Sequence, residues 1–176
     1  SNNSLHYVLG SVHPHIQEYK ELYLRWDWSA FHRQYFISLA EAAESGLFDC
    51  LSHPDLVKNM GSEHWDLDQL ADHIGTCLDR IAETGVAMEL NTSGVNKTIP
   101  EMNPAPSILR AMNERSIPVV LGADAHVPER VGDGFHEGLN LLKSCGYQSV
   151  RVFLDREPHD ISINAAIESL TPPVYE

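Results

Sequence analysis

Cysteine, positive charge and long apolar runs are all scarce in this chain of 176 residues. Cys50, Cys77 and Cys145 are odd in number and widely spaced, which excludes a disulfide framework and a CxxC zinc motif. Lys and Arg total 12 against 25 Asp and Glu. The resulting net charge of -13 argues against a nucleic acid or an anionic membrane as the main partner. No apolar run approaches the roughly 18 residues of a membrane span, and no signal peptide is recognisable, so a cytoplasmic protein is expected.

One domain is expected, because no repeat, low-complexity tract or linker divides the sequence. Short apolar segments alternate with segments whose apolar residues recur at helical spacing. Strands are predicted near 5–12, 48–52, 86–90, 117–121 and 149–154, and helices near 28–45, 66–85, 107–112, 135–144 and 164–170. Ser107 is the predicted cap of the third helix, and a polar loop is predicted over 17–27. The alternation favours an α/β fold with about five parallel strands.

Polar side chains follow the predicted strands where each strand ends. His13, His53 and Asn91 follow the first three strands, and Asp124 and His126 follow the fourth. Functional groups gather at the carboxyl ends of strands in parallel α/β folds, so these side chains are expected to converge. Asp and His are common ligands of zinc, manganese and iron. The sequence therefore predicts a divalent-metal site, and a surface turn after a core strand is the plainer alternative.

The same segments resemble successive blocks of one enzyme family. They read YVLGSVH at 7–13, FDCLSHPDLVK at 48–58, ELNTSG at 89–94 and LGADAH at 121–126. In this order and at these intervals they are similar to the PHP-type histidinol-phosphatases. The resemblance extends over roughly residues 7–154, and NPAP at 103–106 resembles that family's proline-rich entry to its next helix.

The resemblance implies a partial (β/α) barrel of the PHP type that holds two or three divalent ions, Zn, Mn or Fe, at its carboxyl-end mouth. It implies that His13 and His53 bind one ion, that Asp124 binds a second and that His126 binds a third. The family's His-x-His pair and bridging Glu belong to strands that precede the first matching block. Residues 1–176 are therefore expected to be a single PHP-like domain truncated at its N-terminal side. The open sheet edge would favour a homo-oligomer, or pairing with the missing N-terminal segment.

The implied activity is phosphoester hydrolysis: histidinol phosphate and water give histidinol and phosphate, with a metal-bound hydroxide as nucleophile. Asp124 and His126 are the expected catalytic residues. Asn91 and Lys97 are the expected contacts of the substrate, a small phosphorylated metabolite. Lys97 stands near the place where the family carries arginines, and Asn91 is equally suited to capping the local turn.

Two other interpretations stay open on the sequence alone. The chain is either a non-catalytic PHP-like remnant or interaction module, or a phosphoesterase for another phosphorylated metabolite. Because part of the ligand set is expected to be missing, the isolated chain is expected to be a poor catalyst. Arg25, Arg33 and Lys58 either add positive charge at the mouth or are solvated surface residues.

Overall fold

Four short parallel strands form the main sheet of the computed structural model, which describes residues 5–24 and 27–170. They are β1 (Leu9–Gly10), β2 (Cys50–Leu51), β3 (Ala87–Asn91) and β4 (Val119–Gly122), and they lie side by side in chain order. The first two strands are shorter than predicted. Just before β1, the Val8 backbone N–H donates to the Asp49 side-chain carboxylate at 2.7 Å and not to a backbone carbonyl of the neighbouring strand.

Helices connect and cover the strands. They are α1 (Gln17–Tyr23), α2 (Trp28–Glu44), α3 (Leu67–Thr84), α4 (Pro106–Glu114), α5 (Phe135–Ser144) and α6 (Ile163–Ser169). The predicted bounds of α5 are confirmed. The prediction of a loop over 17–27 was wrong, because α1 occupies the first part of that range. None of its residues is buried, so the sequence there lacks the apolar periodicity of a packed helix. Within the described residues, no helix is both long and apolar enough to cross a bilayer.

The helix ends follow capping chemistry. Asp66 caps α3 by accepting a hydrogen bond from Gln69 N at 3.1 Å, and Gly85 ends that helix with a φ of 74°. The cap predicted at Ser107 was wrong, because α4 begins one residue earlier at Pro106. Proline suits a first helical position, where its fixed φ fits and no N–H is required.

The fifth predicted strand exists but is not parallel. β5 (Ser149–Leu154) pairs antiparallel with β6 (Glu157–Ser162), which the sequence had not indicated, so the expectation of five parallel strands was wrong. Asp155 and Arg156 form the turn with φ values of 53° and 70°. Two-residue hairpin turns of this kind usually carry Asn or Gly, so the sequence gives no hairpin signal here. The Arg156 guanidinium pairs with Asp49 at 2.7 Å and ties the hairpin tip to the approach to β2.

The core lies between the sheet and its helices. Phe31, Tyr35 and Leu39 of α2 pack there with Leu78 and Ile81 of α3, and all five are almost wholly buried. The three cysteines are also buried and unpaired, which confirms that they are core thiols. This packing fixes α2 and α3 against the strands whose ends carry the candidate site.

Among the charged residues, Lys58 differs most in position from what the sequence predicted. It was expected at the mouth or on the surface, but its side chain is fully buried. Its ammonium lies 3.1 Å from the Asp55 carboxylate, 3.1 Å from the Glu101 carboxylate and 2.9 Å from the Met102 carbonyl. Burial raises the pKa of Asp55 to about 6, against the opposing charge of Lys58. The cluster joins the segment after His53 to the loop that follows β3.

Replacing Lys58 by Met should strongly destabilise the protein, because the fully buried Asp55 carboxylate loses its cation, and Glu101 loses the same partner. Breaking a buried pair in this way typically costs about 3 to 5 kcal/mol. Arg80→Met is the control, since it breaks the exposed Arg80–Glu44 pair and should leave stability nearly unchanged. Urea unfolding measures both. Equal, small effects of the two substitutions would mean that the buried cluster does not stabilise the fold.

Candidate functional site

The predicted site residues follow neighbouring strands of one parallel sheet. His13 comes three residues after β1, His53 two residues after β2, Asn91 ends β3, and Asp124 comes two residues after β4. Because the strands are parallel and adjacent, these positions lie at the same, carboxyl, edge of the sheet.

Three imidazoles lie close together at this edge. The ring centroid of His13 is 5.4 Å from that of His53 and 5.3 Å from that of His15. His53 is buried, and the Tyr35 hydroxyl donates to its backbone carbonyl at 2.9 Å. Its backbone has a φ of 31°, which side-chain-bearing residues rarely adopt. Strain of this kind is concentrated at functional sites, and here neighbouring contacts hold it in place.

Glu89 is the functional candidate that the sequence analysis missed. It lies inside β3 and is almost wholly buried. One carboxylate oxygen, Oε2, accepts hydrogen bonds from Ser52 Oγ at 2.5 Å, from the backbone N–H of His53 at 3.0 Å and from Asn91 Nδ2 at 3.0 Å. A glutamate within an otherwise apolar strand was the available signal.

Gly122 of β4 makes room for this carboxylate. A Cβ atom at Gly122 would lie 1.9 Å from Glu89 Oε1, so no larger residue fits without moving Glu89. Glycine is therefore needed at position 122 because the Glu89 carboxylate lies so close to it. Glu89 links β2 and β3 by hydrogen bonds and β4 by contact.

Asn91 is engaged by its own turn. Its Oδ1 accepts from the Ser93 backbone N–H at 3.0 Å and from Ser93 Oγ at 2.7 Å, and it caps the short 3₁₀ helix Thr92–Asn96. The capping alternative thus describes its contacts, while a substrate contact stays a prediction. Ser93 Oγ is also 3.3 Å from Asp124 Oδ2, so this hydroxyl lies between the amide and the carboxylate.

Asp124 and His126 are neighbours, but they face different surroundings. Asp124 has a φ of 47°, so both His53 and Asp124 adopt positive φ after their strands. The His126 side chain is 84% exposed, and its Nδ1 lies 2.9 Å from the Asp124 carbonyl oxygen. The structure therefore places Asp124 at the edge of the buried network and His126 on its solvent side.

The electrostatics keep the buried imidazole neutral. Burial, reinforced by the charges of His13 and Lys97, lowers the pKa of His53 to about 4. Burial and the same two neighbours, together with Lys20, also lower the pKa of His15. Lys97 is exposed, yet its charge is felt by both imidazoles. A neutral imidazole retains the nitrogen lone pair that a metal ion needs.

The donor set suits part of a metal site. His13 and His53 offer two adjacent nitrogens, and Asp124 offers a carboxylate near the same edge. Over residues 5–24 and 27–170, no three His, Cys, Asp or Glu side chains are grouped closely enough to hold an ion. A catalytic zinc site usually has three protein ligands, so these residues fit as contributors and leave positions to be filled.

Lys58 and Arg33, two of the other candidate cations, make their contacts elsewhere. Lys58 is held in its buried cluster. Arg33 projects from α2 toward α3, with its Nη2 3.4 Å from the Gln69 carbonyl oxygen. Arg25 lies outside the described residues. Of the proposed cations that have a described position, Lys97 remains the candidate for binding a phosphate.

Known proteins resemble this chain in sequence and in fold. No protein-family model matches the chain. A Deinococcus radiodurans protein named "Probable histidinol-phosphatase" is 39% identical over 155 residues, which cover 82% of this chain. The chain spans 56% of the length of that relative.

Two solved structures have a similar fold. A histidinol phosphate phosphatase from Lactococcus lactis, determined with zinc, L-histidinol and phosphate, has a TM-score of 0.74 at 18% identity. That match covers 90% of this chain and 63% of the other. A Listeria monocytogenes structure, assigned provisionally to the histidinol phosphatases, has a TM-score of 0.62 at 18% identity over 73% of this chain and 56% of its own. The four-stranded parallel sheet with its helices is thus the fold of part of these proteins.

The depressed pKa of His53 predicts a pH-dependent loss of stability. Its pKa is lower in the folded chain, about 4, than the ordinary 6.5, so the unfolded chain binds the proton first as the pH falls. Stability from this group is complete above pH 6.5 and is lost progressively toward pH 4, by on the order of 3 kcal/mol.

His53→Asn should remove this dependence, because Asn does not titrate and tolerates positive φ. Metal-free wild type should lose more free energy of unfolding between pH 6.5 and 4 than the variant. Asp55, whose pKa is raised, acts in the opposite direction in both proteins and cancels in the comparison. Exposed His136→Asn is the control. If wild type and His53→Asn had parallel pH curves, the buried neutral imidazole would be refuted.

Proposed function

We infer that this chain belongs to the histidinol-phosphatase family, and from that premise we propose that it forms part of a metal-dependent phosphoester hydrolase acting on histidinol phosphate. The reaction adds water and releases histidinol and phosphate. The observation that carries the proposal is the close His13–His53 pair at the carboxyl edge of the sheet, with Asp124 at the same edge after β4.

The ligand roles follow from these positions. His13 and His53 together would hold one divalent ion, of zinc, manganese or iron; Asp124 would contribute to a second, and His126, on the solvent side, to a third. Bound ions would activate water and neutralise charge on the phosphoryl oxygens. They would also let a chain with a net charge of -13 bind an anionic substrate.

Three further residues would position the His53 ring or bind the substrate. Glu89 accepts from the His53 backbone N–H and holds the strained segment after β2, so the His53 ring stays directed at the edge. Lys97, the exposed cation near the imidazoles, would contact the substrate phosphate as a point charge. Asn91, fixed by Glu89 and Ser93, would keep the turn that carries Lys97 in place.

The number of ligands supports a shared site. With no three-ligand group in the described part of the chain, the remaining ligands would have to come from outside it. We propose that they belong to further strands that complete a PHP-type barrel beside β1, either within a longer chain or from a second copy. Leu9 of β1 is 41% exposed and Tyr7 43%, which is consistent with an edge that pairs. Light scattering tests the second source; a monomer at high concentration would count against it.

The same shortage supports one alternative, a non-catalytic module that keeps the scaffold. The shared site and the non-catalytic module predict different effects of adding the missing strands to the chain. A shared site becomes active when its missing ligands are restored, whereas a remnant stays inactive.

Residues 1–176 alone should hydrolyse histidinol phosphate or an aryl phosphate very poorly, even with added Mn²⁺ or Zn²⁺. The physical reason is the incomplete ligand set, which leaves the ions without fixed spacing. A version extended upstream to the length of its relatives should be active. In that version Asp124→Asn and His53→Ala should each abolish turnover. Phosphate release measures all of these.

Exposed Asp72→Asn on α3 is the control in the extended version and should retain full activity. Robust turnover by residues 1–176, lost on chelation, would mean that these 176 residues hold a complete site. An inactive extended version that nevertheless binds metal would favour the non-catalytic module.

A further inference from the structure

A second pocket lies away from the strand-end residues, between the N-terminal ends of α2 and α3. Its volume is about 510 Å³. The lining combines two indole rings, one imidazole and three carboxylates; its members are Asp27, Trp28, Ser29, Glu63, His64, Trp65, Asp66 and Gln69. None of them belongs to the proposed hydrolytic site.

Local sequence features hold the aromatic wall in place. Gly61, with a φ of 58°, leaves room for the Trp28 indole, whose ring would lie 2.4 Å from a Cβ there. Trp28 and His64 are nearly parallel, with ring centroids 5.9 Å apart. The Trp65 ring packs against His32 at a centroid distance of 5.2 Å. The wall is therefore fixed by packing.

His32 places an unused acceptor beneath this wall. Its side chain is fully buried, and its Nε2 lies 2.7 Å from the Met60 carbonyl oxygen, so Nε2 carries the proton and Nδ1 has a free lone pair. Nδ1 has no hydrogen-bond partner among the residues that the structure describes. Burial lowers the pKa of His32, which keeps the ring neutral.

The His32 ring lines a small cavity at the base of the pocket. The cavity measures about 20 Å³ and shares Ser29, His64, Asp66 and Gln69 with the larger pocket. A volume of this size admits one water molecule or a group of similar size. A buried acceptor without a partner is costly, so a donor that reached Nδ1 from this cavity would be stabilising.

The chemistry of the two cavities selects the ligand. Carboxylates disfavour anions, and aromatic faces attract cations. The free lone pair of His32 requires an N–H or O–H donor, and the small volume excludes a bulky head. We propose that this pocket binds a small primary ammonium ion, whose –NH₃⁺ head enters the small cavity and donates to His32 Nδ1 while its alkyl part lies against Trp28 and Trp65.

The proposal is tested on the chain itself by tryptophan fluorescence, with n-butylammonium chloride as the probe. Saturable binding is expected. Tetramethylammonium, which has no N–H donor and a larger head, should bind at least tenfold more weakly, and 1-pentanol, which lacks the charge, should not saturate. Equal affinity for butylammonium and tetramethylammonium, or no saturable binding at all, would overturn the proposal.

Two variants separate the parts of the pocket. His32→Phe keeps an aromatic ring without the acceptor and should weaken butylammonium binding at least tenfold. Asp66→Asn keeps the helix cap, since Asn caps as well as Asp, and should weaken binding severalfold by removing one charge. Asp72→Asn on the same helix is the matched control and should bind like wild type. If His32→Phe does not fold, the Asp66→Asn result decides, and unchanged affinity there would refute the site.

Discussion

The buried carboxylate of Glu89 is the interaction on which the site depends. Its Oε2 accepts three hydrogen bonds, from Ser52, His53 and Asn91, and its Oε1 lies against Gly122. Burying a carboxylate is costly unless it is hydrogen-bonded, and here the donors to Oε2 come from the ends of two neighbouring strands. The carboxylate therefore fixes the relative positions of β2, β3 and β4 at their carboxyl ends.

The candidate ligands are arranged around this network. His53 is bound to it through its backbone, and Asp124 is reached from it through Asn91 and Ser93. Positive φ at both His53 and Asp124 means that the two candidate ligands occupy strained positions held by their surroundings. The Lys58 cluster holds the segment that follows His53 from the other side. Local strain, buried charge and candidate function thus coincide at one edge of the sheet.

Sequence patterns predicted what depends on neighbouring residues along the chain. The periodicity of α2, α3 and α5 and the strand-end placement of His13, His53 and Asp124 are features of this kind. The hairpin of β5 and β6 was missed because its Asp155–Arg156 turn lacks Asn or Gly, and β6 is exposed along its whole length. Lys58 was misplaced because one of its partners, Glu101, is 43 residues away. Contacts of that range have no local signature, and the same is true of the fit of Glu89 against Gly122.

The central claim is that the strand-end imidazoles share a metal ion, and nitrogen NMR of the histidine side chains during a Zn²⁺ titration tests it most directly. The account predicts that the ring signals of His13 and His53 shift together and saturate at the same zinc concentration. His159, in the exposed strand β6, should remain unchanged. Separate responses of His13 and His53, or shifts confined to exposed histidines, would contradict a shared ion at the carboxyl edge of the sheet.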